Sequence, residues 1–323
     1  MAIDTQTKLA AATTATAAIS ATPRRQAAAV GWAREQRRAI RWGLAPSLLV
    51  LFLVTVVPAV WLVVVSLTPL SPAEPGSFEF SQPWQNYQQA FTTPEFLQSV
   101  LVQIELSAVT VVLQVAVGMG VALLLDKPSK LLQSVRTGFL VPMVLPPIVV
   151  AIIWKIIYIP AISPLHRLAA AVGLPFHSLI TNAHTAIWAI AAADTWEWFP
   201  FTMLMTLAAL QMVPKDQQEA ARLDGAGAVQ LFWHVRLPYI SGTLVVVVLF
   251  RLIDSIKAFP LIYLLTDGGP GGATEVTNYY GFVQTFNFAY WGYGSAIAVL
   301  LVAGVFVLSV LISRTGGGMA FDE

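Results

Sequence analysis

EAARLDGAGAVQLFWHVRLP, Glu219–Pro238, is the longest polar interruption in the apolar half of the chain, with hydrophobic segments on both sides. Read locally, it predicts two short helices. Pro214 has the fixed φ of a first-turn residue, and Gln217, Gln218, Glu219, Ala220, Ala221 and Arg222 are good helix formers. Gly225 can supply the left-handed residue that ends the first helix, and Gly227 can open the second. Pro238 is expected to stop that second helix before the next apolar run. The expectation is a helix–turn–helix bracket on one side of a membrane.

Composition supports the membrane. Of 323 residues, 57% are hydrophobic and only 11% charged, where a soluble domain carries about a quarter. The absence of cysteine excludes disulfides, thiolate metal sites and cysteine nucleophiles. Six segments have the length a hydrocarbon core requires, about twenty residues each. They are 45–67, 100–125, 138–158, 185–210, 241–265 and 294–313. The expected fold is all-α: a polytopic membrane protein with six transmembrane helices, occupying residues 42–314 with the bracket at 214–240. Residues 1–41 read as a disordered or weakly helical basic cytoplasmic tail, since Ala10–Ala29 lacks the Leu-rich core of a secretory signal. Residues 315–323 read as a short C-terminal tail.

Lys and Arg distribution orients the chain. With the N-terminus inside, the inner segments hold Lys8, the arginines of the tail, Lys127, Lys130, Arg136, Lys215, Arg222, Arg236 and Arg314, and the outer loops hold Arg167 alone. Both termini and the bracket are therefore expected in the cytoplasm, with the protein multi-pass in a bacterial or archaeal inner membrane. Arg34, Arg37, Arg38 and Arg41, just before the first span, read as an orientation signal touching anionic lipid rather than a nucleic-acid site. In the third span, Pro142, Pro146 and Pro147 predict a kinked helix covered by its neighbours. Residues 165–174 can form an interfacial helix. His166, His177 and His184 have no metal-ligand spacing, so no metal site is expected.

Glu219-Ala220-Ala221, then Gly225, then Val235-Arg236-Leu237-Pro238 resembles the EAA loop of the membrane subunits of binding-protein-dependent ABC importers. Val235 stands where Ile is usual, Gly227 where a Ser cap is common, and Val229 where Trp is common. Leu265-Thr266-Asp267-Gly268-Gly269-Pro270 is a tight-turn sequence with positive φ available at Gly268 and Gly269. It is similar to the LT-x-GGP signature of carbohydrate-type permeases, although Pro260 stands where Asp often follows Phe. Asn86-Tyr87 and the following Phe91–Phe96 also resemble the segment before the second span in that group. The resemblance covers about Trp42 to Arg314. It implies that Glu219, Ala220, Ala221, Asp224, Gly225, Leu237 and Pro238 couple the chain to an ATPase. The implied partners are a second homologous permease in a heterodimer, an ABC ATPase dimer that holds the ATP and Mg, an extracytoplasmic solute-binding protein, and membrane lipid. No cofactor is expected on this chain. No phosphate-cradling G-x-x-x-x-G-K-[ST], HExxH or G-x-S-x-G occurs, so no catalytic residue is assigned and energy must come from another chain.

Charges inside spans are costly and generally face the bundle interior. Glu105 and Lys155 lie at matched depth near the outer ends of the second and third spans, which predicts a structural ion pair. Asp194 and Glu197, three apart, sit near the middle of the fourth span beside Trp198, and Arg251, Asp254 and Lys257 recur every three residues in the fifth. Such spacing keeps each set within one helix face. Carboxylates can accept from sugar hydroxyls, and aromatic faces can stack on sugar rings. Asp194, Glu197, Trp198, Asp254 and Lys257, with Tyr263 nearer the outside, are thus candidates to line a translocation path. A buried salt network that sets helix register is the alternative. The functional expectation is a permease subunit for a mono-, di- or oligosaccharide. Polyols or glycerol phosphates remain open as substrates. A proton-coupled secondary transporter using the acidic cluster is the rival of a different class.

Overall fold

The computed structural model describes residues 23–127, 129–173 and 178–317, and the described residues are helical with no strand. The chain divides into two compact units, Met1–Trp61 and Leu62–Glu323. In the first, helix α1 (Pro23–Ser66) begins. Of the tail expected to be disordered or weakly helical, the part from Pro23 onward is helical, and residues 1–22 lie outside the described residues. Alanines, arginines and glutamines are strong helix formers, and a helix already nucleated by the apolar run extends into them at little cost.

In the second unit, α2 (Gln85–Thr92) leads into α3 (Pro94–Leu125), which starts at Pro94 rather than Val100. Proline at the first position and Glu95 in the first turn are start signals that a hydropathy window overlooks. Asn86 donates from Nδ2 to the carbonyls of Ser66 (2.9 Å) and Thr68 (2.8 Å), fixing α2 against the end of α1 within this unit.

The third span is broken, as its prolines predict. Helices α4 (Lys130–Phe139) and α5 (Val141–Val144) precede α6 (Pro147–Tyr158), and the axis turns by 95° across the break. Only Pro142 is buried. Pro146 and Pro147 are exposed on the single chain, so the expected covering by neighbours of the same chain is not found. Helix α7 (Pro164–Ala171) forms where the interfacial helix was expected.

Helix α8 (Ala183–Met212) is the hub of the unit, with Asp194, Glu197, Phe199, Met203 and Leu207 all buried. Asn182 starts it by accepting from the His184 N–H at 2.9 Å. α3 lies hard against it at Gly118, where a Cβ would stand 2.6 Å from Thr202 Cβ and 2.9 Å from the Met203 nitrogen. Small residues permit such backbone approach between membrane helices.

Helices α9 (Lys215–Leu223) and α10 (Ala228–Leu231) form the bracket. A π-helical turn, Phe232–Arg236, joins α10 to α11 (Leu237–Ser255) without a stop. Pro238 was expected to end the second arm, and it does not. Its ring would meet a carbonyl one turn earlier in a regular helix. The wider turn, in which the Leu237 N–H reaches the Phe232 carbonyl, accommodates the proline and keeps the axis continuous. The fifth span breaks elsewhere, between Ser255 and Phe259, before α12 (Phe259–Leu265). Asn278 Nδ2 donates to the Ile256 carbonyl left open by that break. α13 (Thr277–Phe282), a second π turn (Val283–Asn287) and α14 (Trp291–Gly317) complete the described chain.

Four helices among the described residues are long and apolar enough to cross a membrane, or five with the bent third span. α8 is not among them. It is long, yet it carries Asp194, Thr195, Glu197, Thr202 and Thr206 on faces that protein covers, so it has no need of uniform apolarity.

Candidate functional site

Three helices bring polar side chains together at mid-depth. Arg251 of α11 is 2% exposed and lies at the centre. Its Nη1 donates to Asp254 Oδ2 at 2.6 Å and its Nε to Gln114 Oε1 of α3 at 2.8 Å. Its Nη2 stands 3.9 Å from Asp194 Oδ2 of α8. Gln114 turns its amide nitrogen to Asp194 Oδ2 at 2.7 Å, and the guanidinium carbon lies 4.5 Å above the Trp198 ring. Just beyond, Ser255 donates to Ser107 at 2.8 Å, again joining α11 to α3. Gln114 was not singled out in the sequence. A neutral amide carries no charge to draw the eye. Arg251 was seen as part of the cluster without being placed at its centre.

A cavity of about 110 Å³ opens beside this network, lined by Asp194, Glu197, Trp198, Asp254, Lys257 and Pro260 among others. Five of the six proposed path residues therefore share one wall. Tyr263 does not line it; it is exposed and stacks on Phe259 with ring centroids 5.5 Å apart. Within the wall the residues differ. Asp194 and Asp254 are engaged by Arg251, and Lys257 Nζ reaches Asp254 Oδ1 at 3.3 Å. The Glu197 carboxyl makes no hydrogen bond or ion pair among the described residues, although the residue is only 1% exposed. Staple and cavity wall thus coexist in one cluster.

Glu105 and Lys155 do not pair. Both are exposed on the chain, and no ion pair joins them among the described residues. Matched depth along two spans leaves the rotation about each helix axis free. Val102, Gln103 and Leu106 take the inner face of α3, and Val150, Ala151 and Tyr158 that of α6.

The bracket is built as its glycines require. Gly225 has φ +84°, its N–H reaches the Arg222 carbonyl (3.1 Å), and the Ala226 N–H reaches that of Ala221 (2.9 Å). This is a Schellman cap, and a residue with a Cβ would be strained there. Gly227 is the N-cap of α10, its N–H held by Gln230 Oε1 at 3.0 Å. α9 has no buried residue. Glu219, Ala220 and Asp224 are exposed, Ala221 is half-buried, and Leu223, Val229 and Trp233 are exposed apolar side chains. Leu237 and Pro238 begin α11.

At the other end of the helices, the turn after α12 has positive φ at Asp267 and Gly268. Of the two glycines free to adopt that conformation, Gly268 does and Gly269 does not. Tyr279 donates to Asp267 Oδ1 at 2.6 Å and supports the unusual backbone. Glu275, nearby, is held above the usual carboxylate range, first by burial and then by the charge of Glu95. No group of His, Cys, Asp or Glu among the described residues could hold a metal ion; His177 lies outside them.

A helical bundle with a charged mid-depth cavity and an exposed two-armed bracket defines a membrane permease component. The family described as "Binding-protein-dependent transport system inner membrane component" matches residues 114–315, and the chain belongs to it. The trehalose/maltose transport system permease protein MalF of Thermococcus litoralis is 32% identical over 232 residues, covering 72% of this chain and 78% of that protein. The sulfoquinovosyl glycerol transport system permease protein SmoG of Agrobacterium fabrum is 31% identical over 265 residues, covering 80% and 84%. Among solved structures, a bacterial ABC transporter involved in the import of alginate aligns with TM-score 0.75 at 18% identity, over 90% of this chain and 99% of that one. The family is an inner membrane component of a transporter, not a catalytic subunit.

Proposed function

We propose that the chain is the permease subunit of an ATP-driven importer that moves a carbohydrate inward. The observation that carries this reading is the bracket. A capped helix with its EAA face exposed is followed by a second arm that runs unbroken into the helix bearing Arg251 and Asp254. A partner seated on the bracket can therefore push directly on the cavity wall. Closure of an ATPase dimer on ATP would move the bracket, and rigid-body motion of the attached helices would turn the cavity outward. A second, homologous permease would complete the path, and an external binding protein would deliver solute. The bracket and both termini would face the cytoplasm, as the Lys and Arg distribution requires.

The carbohydrate assignment is supported by the LT-x-GGP turn, by relatives named for trehalose/maltose and sulfoquinovosyl glycerol transport, and by the cavity's carboxylates and Trp198. The experiment is ATP hydrolysis by the full complex in lipid vesicles, with its binding protein and a panel of disaccharides, monosaccharides, polyols and glycerol phosphates. Stimulation by a saccharide is expected. Stimulation only by glycerol phosphates would overturn the substrate class. Uptake driven by a proton gradient without an ATPase would overturn the importer reading.

A further inference from the structure

Arg236 sits at the last position of the π turn, between the bracket and α11. Its Nε and Nη2 both donate to Gln218 Oε1 of α9, at 3.1 and 2.8 Å. Gln218 is itself fixed by donating to the Val213 carbonyl at 3.2 Å. The remaining nitrogen, Nη1, lies 3.3 Å from Asp126 Oδ2, and the two side chains are only 19% and 17% exposed. Asp126 caps the C-terminus of α3. Its neighbour's carbonyl, that of Leu125, accepts from Arg136 Nη2 at 2.5 Å, so the anchor is held from the other side too.

These contacts form one end of a polar ladder. α3 and α11 run antiparallel and meet at Ser107–Ser255, at Gln114–Arg251, and at Asp126–Arg236 just where α11 begins. The first two rungs lock the helices in the bundle interior. The third ties the same pair to the bracket. We propose that Arg236 is a positioning residue for transport. It clamps both arms of the bracket to the end of α3, so that α3 and α11 move as one lever when the bracket is displaced. Without the clamp, α11 would still follow the bracket through the chain, but α3 would be driven only through its buried contacts. ATP would then be hydrolysed with incomplete motion of the cavity wall. This proposal rests on the reading of the bracket as the ATPase seat.

The test uses the reconstituted complex and measures ATP hydrolysed per solute imported. Arg236→Gln and Asp126→Asn are each expected to raise that ratio about three- to tenfold, the range for losing a largely desolvated charge pair. The double variant should be no worse than the worse single, because both remove the same contact. Asp126→Glu, which keeps the charge, should stay within about twofold of native. A purely structural role would instead lower the amount of assembled complex and leave the ratio unchanged in what assembles. Additive single effects, or native ratios in both singles, would overturn the clamp. Gly225→Val in the same assay separates the two levels. If it uncouples while Arg236→Gln and Asp126→Asn remain native, the clamp alone falls; if it too couples normally, the ATPase-seat reading falls with it.

Discussion

The mid-depth cluster and the bracket are the two polar regions set into this apolar chain, and they are satisfied in opposite ways. Around Arg251 the charged groups mostly find partners within the chain, Arg251 and Asp194 buried, Asp254 half-buried and Lys257 exposed. In the bracket the backbone is carefully capped, yet Glu219, Leu223, Val229 and Trp233 are left exposed. A region that completes itself holds a fold together, whereas one whose backbone is finished while its side chains stand open fits the proposed seat of another protein. The cluster also holds a smaller contrast of the same kind, since Glu197 is buried at the cavity without a partner of its own.

The largest expected effect comes from breaking the self-satisfied region. Arg251→Met leaves buried Asp194 without its cation and Asp254 with Lys257 alone, and should destabilise the bundle by about 3–5 kcal/mol. Loss of folded permease after solubilisation, followed by size exclusion, checks it; a normal yield would mean the cluster is not a staple. Gly225→Val tests the bracket. Nothing lies within 4 Å of a Cβ at that position, so the cost is backbone strain alone, about 1–2 kcal/mol or more for a branched residue. The spans should fold normally and uptake should fall with ATP hydrolysis retained. Should uptake persist at native rates, the cap is not what shapes the bracket for its partner.

Glu197→Gln sharpens the division inside the cluster. With no partner in the chain to lose, exchanging this buried carboxyl for a neutral amide should not lower stability. Its effect should fall on the KM for solute uptake more than on the maximal rate. A large stability loss with unchanged KM would put Glu197 with the staple. The smallest effect belongs to Glu275. Its folded pKa is raised, so folding carries no penalty from it at pH below the ordinary carboxylate value of about 4.3 and a growing one as pH rises through the folded pKa. Glu275→Gln should therefore raise Tm relative to native at neutral pH and leave it unchanged at pH 4. A Tm difference that grew toward acid pH would contradict the assignment.

Much of this was legible in the residues. Gly225 and Gly227 announced the turn, the three prolines announced the break in the third span, and three-residue spacing brought Asp194, Glu197, Asp254 and Lys257 to one wall. What was missed has physical causes. The effect of Pro238 depends on whether the helix can widen by one residue, which the π turn allows and composition does not reveal. The Glu105–Lys155 pair failed because hydrophobic segments give depth but not rotation. Gln114 and Arg236 escaped because their roles depend on partners 137 and 110 residues away in the chain, a relation that local periodicity does not carry.

The central claim is that the open face of the bracket is the seat of the ATPase. The chain has no cysteine, so Val229→Cys gives a single reporter at a side chain that is 71% exposed in the isolated subunit. The measurement is its rate of maleimide labelling in membranes with and without the co-expressed ATPase. Labelling that is fast without the ATPase and suppressed with it is the predicted result. Equal rates in both would contradict the account.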